Sequence, residues 1–123
     1  MLRKSLVALV LLVMAGVALV AQEVKDVKLN GHVIDNMCAS AHPNDLADTA
    51  KGHPTACATM PNCMKSGYSI VADGKQYKLD EEGNKKVMML LKGTKSKKGL
   101  AVTVEGKLDG DTLHIKKIAE VES

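Results

Sequence analysis

Alternating apolar residues constrain this chain more than any other feature. Leu100, Val102, Val104 and Leu108 fall on one face of a strand, Gly106 keeps the same step, and Leu113 and Ile115 return after Asp109-Gly110. A period of two sends every second side chain to one side of a strand. Asp-Gly supplies the positive-φ pair that a tight hairpin turn needs. Val27, Leu29, Gly31 and Val33 repeat the pattern, with Lys28, Asn30 and His32 opposite, and residues 22–26 form a short solvated lead. Tyr68, Ile70 and Ala72 alternate again, and Tyr77 and Leu79 return after Asp73-Gly74. Beyond Ile115 the phase slips to Ile118 and Val121, which predicts a β-bulge.

One helix interrupts the strands. Asn84 is its expected N-cap, Val87, Leu90 and Leu91 share a face, and Gly93 is the expected stop. A basic, mobile loop follows at 92–99. The order is strand, long loop, strand, strand, helix, strand, strand. That is the order of a mainly β, five-stranded OB-like Greek-key barrel with one short helix and a long Cys/His/Met-rich loop between strands 1 and 2. Gly31 and Gly106 sit mid-strand, where a small barrel must coil sharply. An open antiparallel sheet with one helix packed on it is the alternative.

The amino terminus reads as an address. Arg3 and Lys4 precede an almost wholly apolar run from Ser5 to Val20, and Ala21-Gln22-Glu23 ends it. A charged start, an apolar middle and a small-residue end describe a secretory signal peptide. The run is short of the roughly 20 residues that span a bilayer. The expected division is 1–21 as signal peptide and 22–123 as a single OB-like domain, periplasmic or secreted, with no stable membrane insertion after cleavage. Cleavage after Ala18, or an uncleaved anchor, are the alternatives. Without Arg3 and Lys4 the chain keeps 15 basic against 14 acidic groups, too balanced to expect nucleic acid as a partner. Tyr68 and Tyr77 are its only aromatic residues, and their alternation assigns them to the core rather than to base stacking.

The segments GHVIDNMC (31–38), HPTACATMPNCMKSGY (53–68), DGKQYKLDEEGNKKV (73–87) and VTVEGKLDGDTLHIKKI (102–118) cover a little under half of the chain. With the leader, they resemble a group of small exported bacterial OB-fold proteins of uncharacterised function. The resemblance implies fold and compartment. It implies no reaction and assigns no site residue.

The chemistry concentrates in residues 36–66, which hold all three prolines, all three cysteines, two histidines and three methionines. Short helical turns are expected at 44–50 and 54–60, opened by Pro43 and Pro54. Three readings compete for Cys38, Cys57 and Cys63. Outside the cytoplasm thiols oxidise, so a disulfide from Cys38 to Cys57 or Cys63 would staple a domain with no Phe or Trp in its core. Alternatively, Cys38, Cys57 and Cys63 with His42, His53 and Met60 would suit copper or zinc. Cys-x-x-x-His and His-x-x-x-Cys spacings put each pair on one helical face. The third reading is thiol–disulfide exchange, with Cys57 in a first helical turn after Pro54.

Other residues have plainer roles. His32 and His114 point outward from strands. Met88 and Met89 sit in the helix, at least one of them as core filler. Asp35, Asp45 and Asp48 could cluster, but Asp45 and Asp48 more simply favour a helix start. Lys92, Lys95, Lys97 and Lys98 form a solvated basic face that could touch anionic lipid or cell-wall polymer. No phosphate loop, nucleophile elbow or haem-attachment motif is present. The expectation is an exported, non-enzymatic binding or interaction module, with no certain cofactor and an unknown small ligand, metal or protein as partner. The alternative is a periplasmic metal-handling or thiol-redox protein.

Overall fold

The computed structural model describes residues 24–121, so the expected signal peptide and the first residues of the expected domain lie outside the described residues. Strand β1 (Val24–Asp35) runs into four short helices, α1 (Asn36–Ala41), α2 (Leu46–Gly52), α3 (Thr55–Ala58) and α4 (Pro61–Ser66). Then come β2 (Tyr68–Ala72), β3 (Lys75–Leu79), α5 (Glu81–Gly93), β4 (Ala101–Asp109) and β5 (Thr112–Glu120). The fold is mainly β, and its five strands close into a barrel in the order β1-β2-β3-β5-β4.

Closure depends on β1 serving two neighbours. Its first part, Val24 to His32, pairs antiparallel with β4, and its last part, His32 to Asp35, pairs antiparallel with β2. The strand must bend where the two partners meet, and Gly31 sits there. A Cβ on Gly31 would lie 2.5 Å from the Val71 carbonyl oxygen and 2.8 Å from Ile70 Cγ2, so only glycine fits. A short parallel pairing of β3 with β5 (Lys78 with Thr112, Leu79 with Leu113) seals the other side. The expected bulge lies in β5, where Glu105 faces Lys117 but Gly106 faces Ile115, leaving Lys116 as the extra residue.

The alternation in the sequence becomes the barrel interior. Val33, Tyr68, Ile70, Leu100, Val102, Val104 and Leu113 fill it, and Val87 and Leu91 of α5 close one end. Tyr68 is fully buried and donates its hydroxyl hydrogen to the Ala58 carbonyl at 2.7 Å, tying the barrel interior to α3. Tyr77 packs on the same core from a half-buried position.

A second, smaller core lies outside the barrel. Ile34 and Val71 point away from the interior and are covered by Ala39 of α1 and Ala50 of α2, with Leu46 and Cys38 at the margin. This overturns the reading of 36–66 as a long loop and of the fold as having one short helix. The segment is a helical cap that gives the outer faces of β1 and β2 an apolar partner.

Other local expectations change. Residues 24–26 of the expected lead already pair with β4, Val24 opposite Asp109. Helix α5 begins at Glu81, capped by Asp80, whose carboxylate accepts from the Gly83 N–H at 2.7 Å. Asn84 lies inside that helix and instead accepts from the Tyr68 N–H at 2.9 Å. Residues 94–99 are not a mobile loop: Thr55 N–H donates to Lys97 O at 3.0 Å and Gly99 N–H to His53 O at 2.8 Å. Among the described residues no helix is long and apolar enough to cross a membrane.

Candidate functional site

The site grows from the junction of β1 and α1. Asp35 keeps extended backbone (φ −77°, ψ 151°), and its Oδ2 accepts from the Cys38 N–H at 2.9 Å, the N-cap bond that starts α1. Cys38 therefore sits in the first turn of that helix, beside the carboxylate. The chain leaves α1 at His42, turns, and re-enters helix at Leu46. Asp45 orders this turn, because its carboxylate takes His42 Nδ1–H at 3.2 Å and Thr49 Oγ1–H at 3.2 Å. Helix α2 ends at His53, whose extended backbone (φ −67°, ψ 121°) sends the imidazole back toward β1. There His53 Nε2 meets Asp35 Oδ1 at 2.6 Å.

Asp35 is wholly buried and His53 is 7% exposed. A buried carboxylate must be hydrogen-bonded to be tolerated, and His53 and the Cys38 amide meet that need. Among the described residues, one group of His, Cys and acidic ligand atoms comes within 4.8 Å of one another: Asp35, Cys38 and His53. Nε2 is taken by Asp35, which leaves Nδ1 as the second ring nitrogen of His53. His53 lines a groove of about 350 Å³ together with Cys38, His42, Asp48, Thr49, Gly52 and Pro54.

Burial and a neighbouring carboxylate favour the neutral form of two thiols, Cys38 and Cys63. Burial, then the negative charge of Asp35, pushes the Cys38 thiol up to about 11. Burial, then Asp35, also raises the Cys63 thiol, which neighbours both Asp35 and Cys38. Such thiols are weak nucleophiles at neutral pH. The same charge balance favours an incoming cation, whose field would deprotonate a coordinating thiol.

Of the residues singled out in the sequence, Cys38 and His53 come together, His42 lines the same groove, and Cys63 lies buried behind Cys38 on α4. Cys57 is half-buried on α3. Met60 stands 55% exposed before α4, outside the groove. All three cysteines are free thiols in the structure, so the expected staple is not formed there. The segment is held instead by hydrogen bonds, among them Asn36 Nδ2–H to Ser66 O at 2.8 Å and Asn36 N–H to Gly67 O at 2.9 Å. The helical-face argument fails for His53 and Cys57, which lie on either side of the break between α2 and α3, whereas Cys38 and the C-cap His42 do line one groove.

Asp35 is the residue that sequence reasoning undervalued. It does not join Asp45 and Asp48, which are exposed on the helical segment. An acidic residue three positions before Cys38, at a strand end, is an N-cap signature that would have placed its carboxylate beside that cysteine. His114 points outward as expected, and its Nδ1 bonds Asp80 Oδ2 at 2.7 Å. His32 is half-buried rather than solvated, and burial followed by the charge of Lys51 lowers its pKa. No known protein family, curated protein or solved structure matches this chain.

Proposed function

We propose that this chain is an exported, non-enzymatic binding module on an OB-type barrel, and that its Asp35–Cys38–His53 corner holds zinc(II) or copper(I). The observation that carries the reading is the convergence of those three side chains within 4.8 Å around a buried carboxylate. Cys38 Sγ and His53 Nδ1 would be the protein ligands, with His42 on the same groove as a third donor. Thiolate and imidazole together suit both ions. Asp35 would act through His53: by accepting Nε2–H it fixes the tautomer and orientation of the ring, the usual arrangement behind a metal-bound histidine. The raised thiols of Cys38 and Cys63 favour this reading over thiol exchange at those two residues. Strand order β1-β2-β3-β5-β4, with α5 between β3 and β4, supports the OB assignment. The charged and apolar character of residues 1–21 supports export.

A second reading rests on Cys63, which lies beside Cys38 and could pair with it in an oxidising space. Both readings need the Cys38 sulfur, so one sample separates them. Elemental analysis and a free-thiol count on native exported protein should give one equivalent of metal and three thiols. His53→Ala and Cys38→Ser should each lose the metal. No metal, with one free thiol remaining, would replace the metal site by a structural disulfide.

A further inference from the structure

A mostly apolar concavity lies away from the cysteine-bearing segment. It is a groove of about 690 Å³ between α5 and the outer faces of β1, β4 and β5. Met89, Leu90, Ile118 and Ala119 supply its apolar surface, and Met89 is 75% exposed. An exposed methionine at the mouth of a groove is a flexible apolar contact for a guest.

The rim has a definite sign. Lys28, Lys86, Lys116 and Lys117 surround the groove against a single carboxylate, Glu105. Lys28 spends its charge on Glu105 at 3.7 Å, and Lys86 donates to the Ile115 carbonyl at 3.4 Å. Lys117 stands opposite Glu105 across the β4–β5 pairing without coming within 4 Å of it, and Lys116 has no acidic partner within 4 Å among the described residues. Their placement follows from the bulge. Regular alternation would send one of two consecutive residues inward, but the extra residue at 116 leaves both lysines exposed on the groove wall.

We infer that this groove binds a long-chain fatty acid, with the acyl chain along Met89, Leu90, Ile118 and Ala119 and the carboxylate on Lys116 and Lys117. The apolar surface and the excess of positive charge on the rim are the two features such a ligand needs, and they adjoin. A groove of this volume is in the range that holds a small organic ligand.

The test is a fluorescence titration of the purified protein with cis-parinaric acid, whose emission is free of protein tryptophan because the chain has none. Saturable one-to-one binding, displaced by palmitic acid and at least tenfold less well by hexadecanol, is the expected result. A Lys116→Glu/Lys117→Glu double variant should weaken binding about tenfold or more, the loss expected when charge-assisted contacts are removed. Met89→Asp should weaken it as well. Both changes are on exposed side chains, so circular dichroism should show an intact fold. Absence of saturable binding to monomeric acid, equal affinity in the charge-reversed variant, or binding only to phosphatidylglycerol vesicles would each overturn the inference.

Discussion

Tyr68→Phe removes one oxygen from the centre of the barrel and tests how the barrel holds its helical cap. The hydroxyl lies 2.7 Å from the Ala58 carbonyl, with Tyr68 at 0% and Ala58 at 1% exposure. Phenylalanine keeps the ring, so no cavity of consequence opens. What is lost is one buried hydrogen bond, and what remains is a carbonyl of α3 cut off from water. An orphaned buried acceptor costs about 1–3 kcal/mol. Urea unfolding followed by far-ultraviolet circular dichroism should show stability lowered by that amount with an unchanged denaturant slope. Alkaline titration adds an internal check. Burial, then Asp35 and Cys63, raises the Tyr68 phenol from 10.0 to about 12. A raised pKa means that the neutral phenol is favoured in the fold. Its contribution is full below pH 10.0 and is lost as pH rises toward about 12. The difference between wild type and variant should therefore shrink across that window. Equal stability of the two proteins at pH 7, or a difference that persists unchanged at high pH, would refute the reasoning.

Further outcomes follow from other contacts. Asp80 caps α5 and pairs with His114; its burial raises the carboxyl, but the Gly83 N–H and His114 outweigh that and leave it lowered. Its contribution is thus present above the ordinary carboxyl range and lost as pH falls through the lowered value. Asp80→Ala should cost about 1 kcal/mol at pH 7 and flatten the acid limb of the stability curve, as read by denaturant melts from pH 7 downward. Gly31→Ala should cost about 1–3 kcal/mol in the same assay, because its Cβ meets the Val71 carbonyl rather than a side chain that could swing aside. Leu113→Ala, at 0% exposure in the barrel interior, should cost about 2–5 kcal/mol.

The barrel strands were legible because each buries one face for most of its length. Val27 to Val33 and Leu100 to Leu108 alternate cleanly, and the first Asp-Gly pair is a turn, with Asp73 at φ 51° and Gly74 at φ 75°; the second turn falls one residue later than expected, on Gly110-Asp111, because Asp109 still pairs with Thr112. The phase slip after Ile115 was the bulge. The helical cap was harder to read, because α1 to α4 have four to seven residues each and are fixed by what they cover, not by intrinsic propensity. A trace of it was present: Ile34 and Val71 are apolar on the outward face, which marks strands buried on both sides. Asp80, followed by Glu81 and Glu82, carried a stronger helix-start signal than Asn84. The candidate site was half legible. Cysteine and histidine types announced it, but the pairing of Asp35 with His53 spans 18 positions and exists only once α1 and α2 fold back on β1.

Cobalt(II) added to the reduced protein addresses the metal site most directly. The account predicts a thiolate-to-cobalt charge-transfer band in the near ultraviolet, saturating at one equivalent, abolished by Cys38→Ser and displaced by zinc. A spectrum identical to that of cobalt in buffer, from protein whose thiols are all reduced, would contradict it.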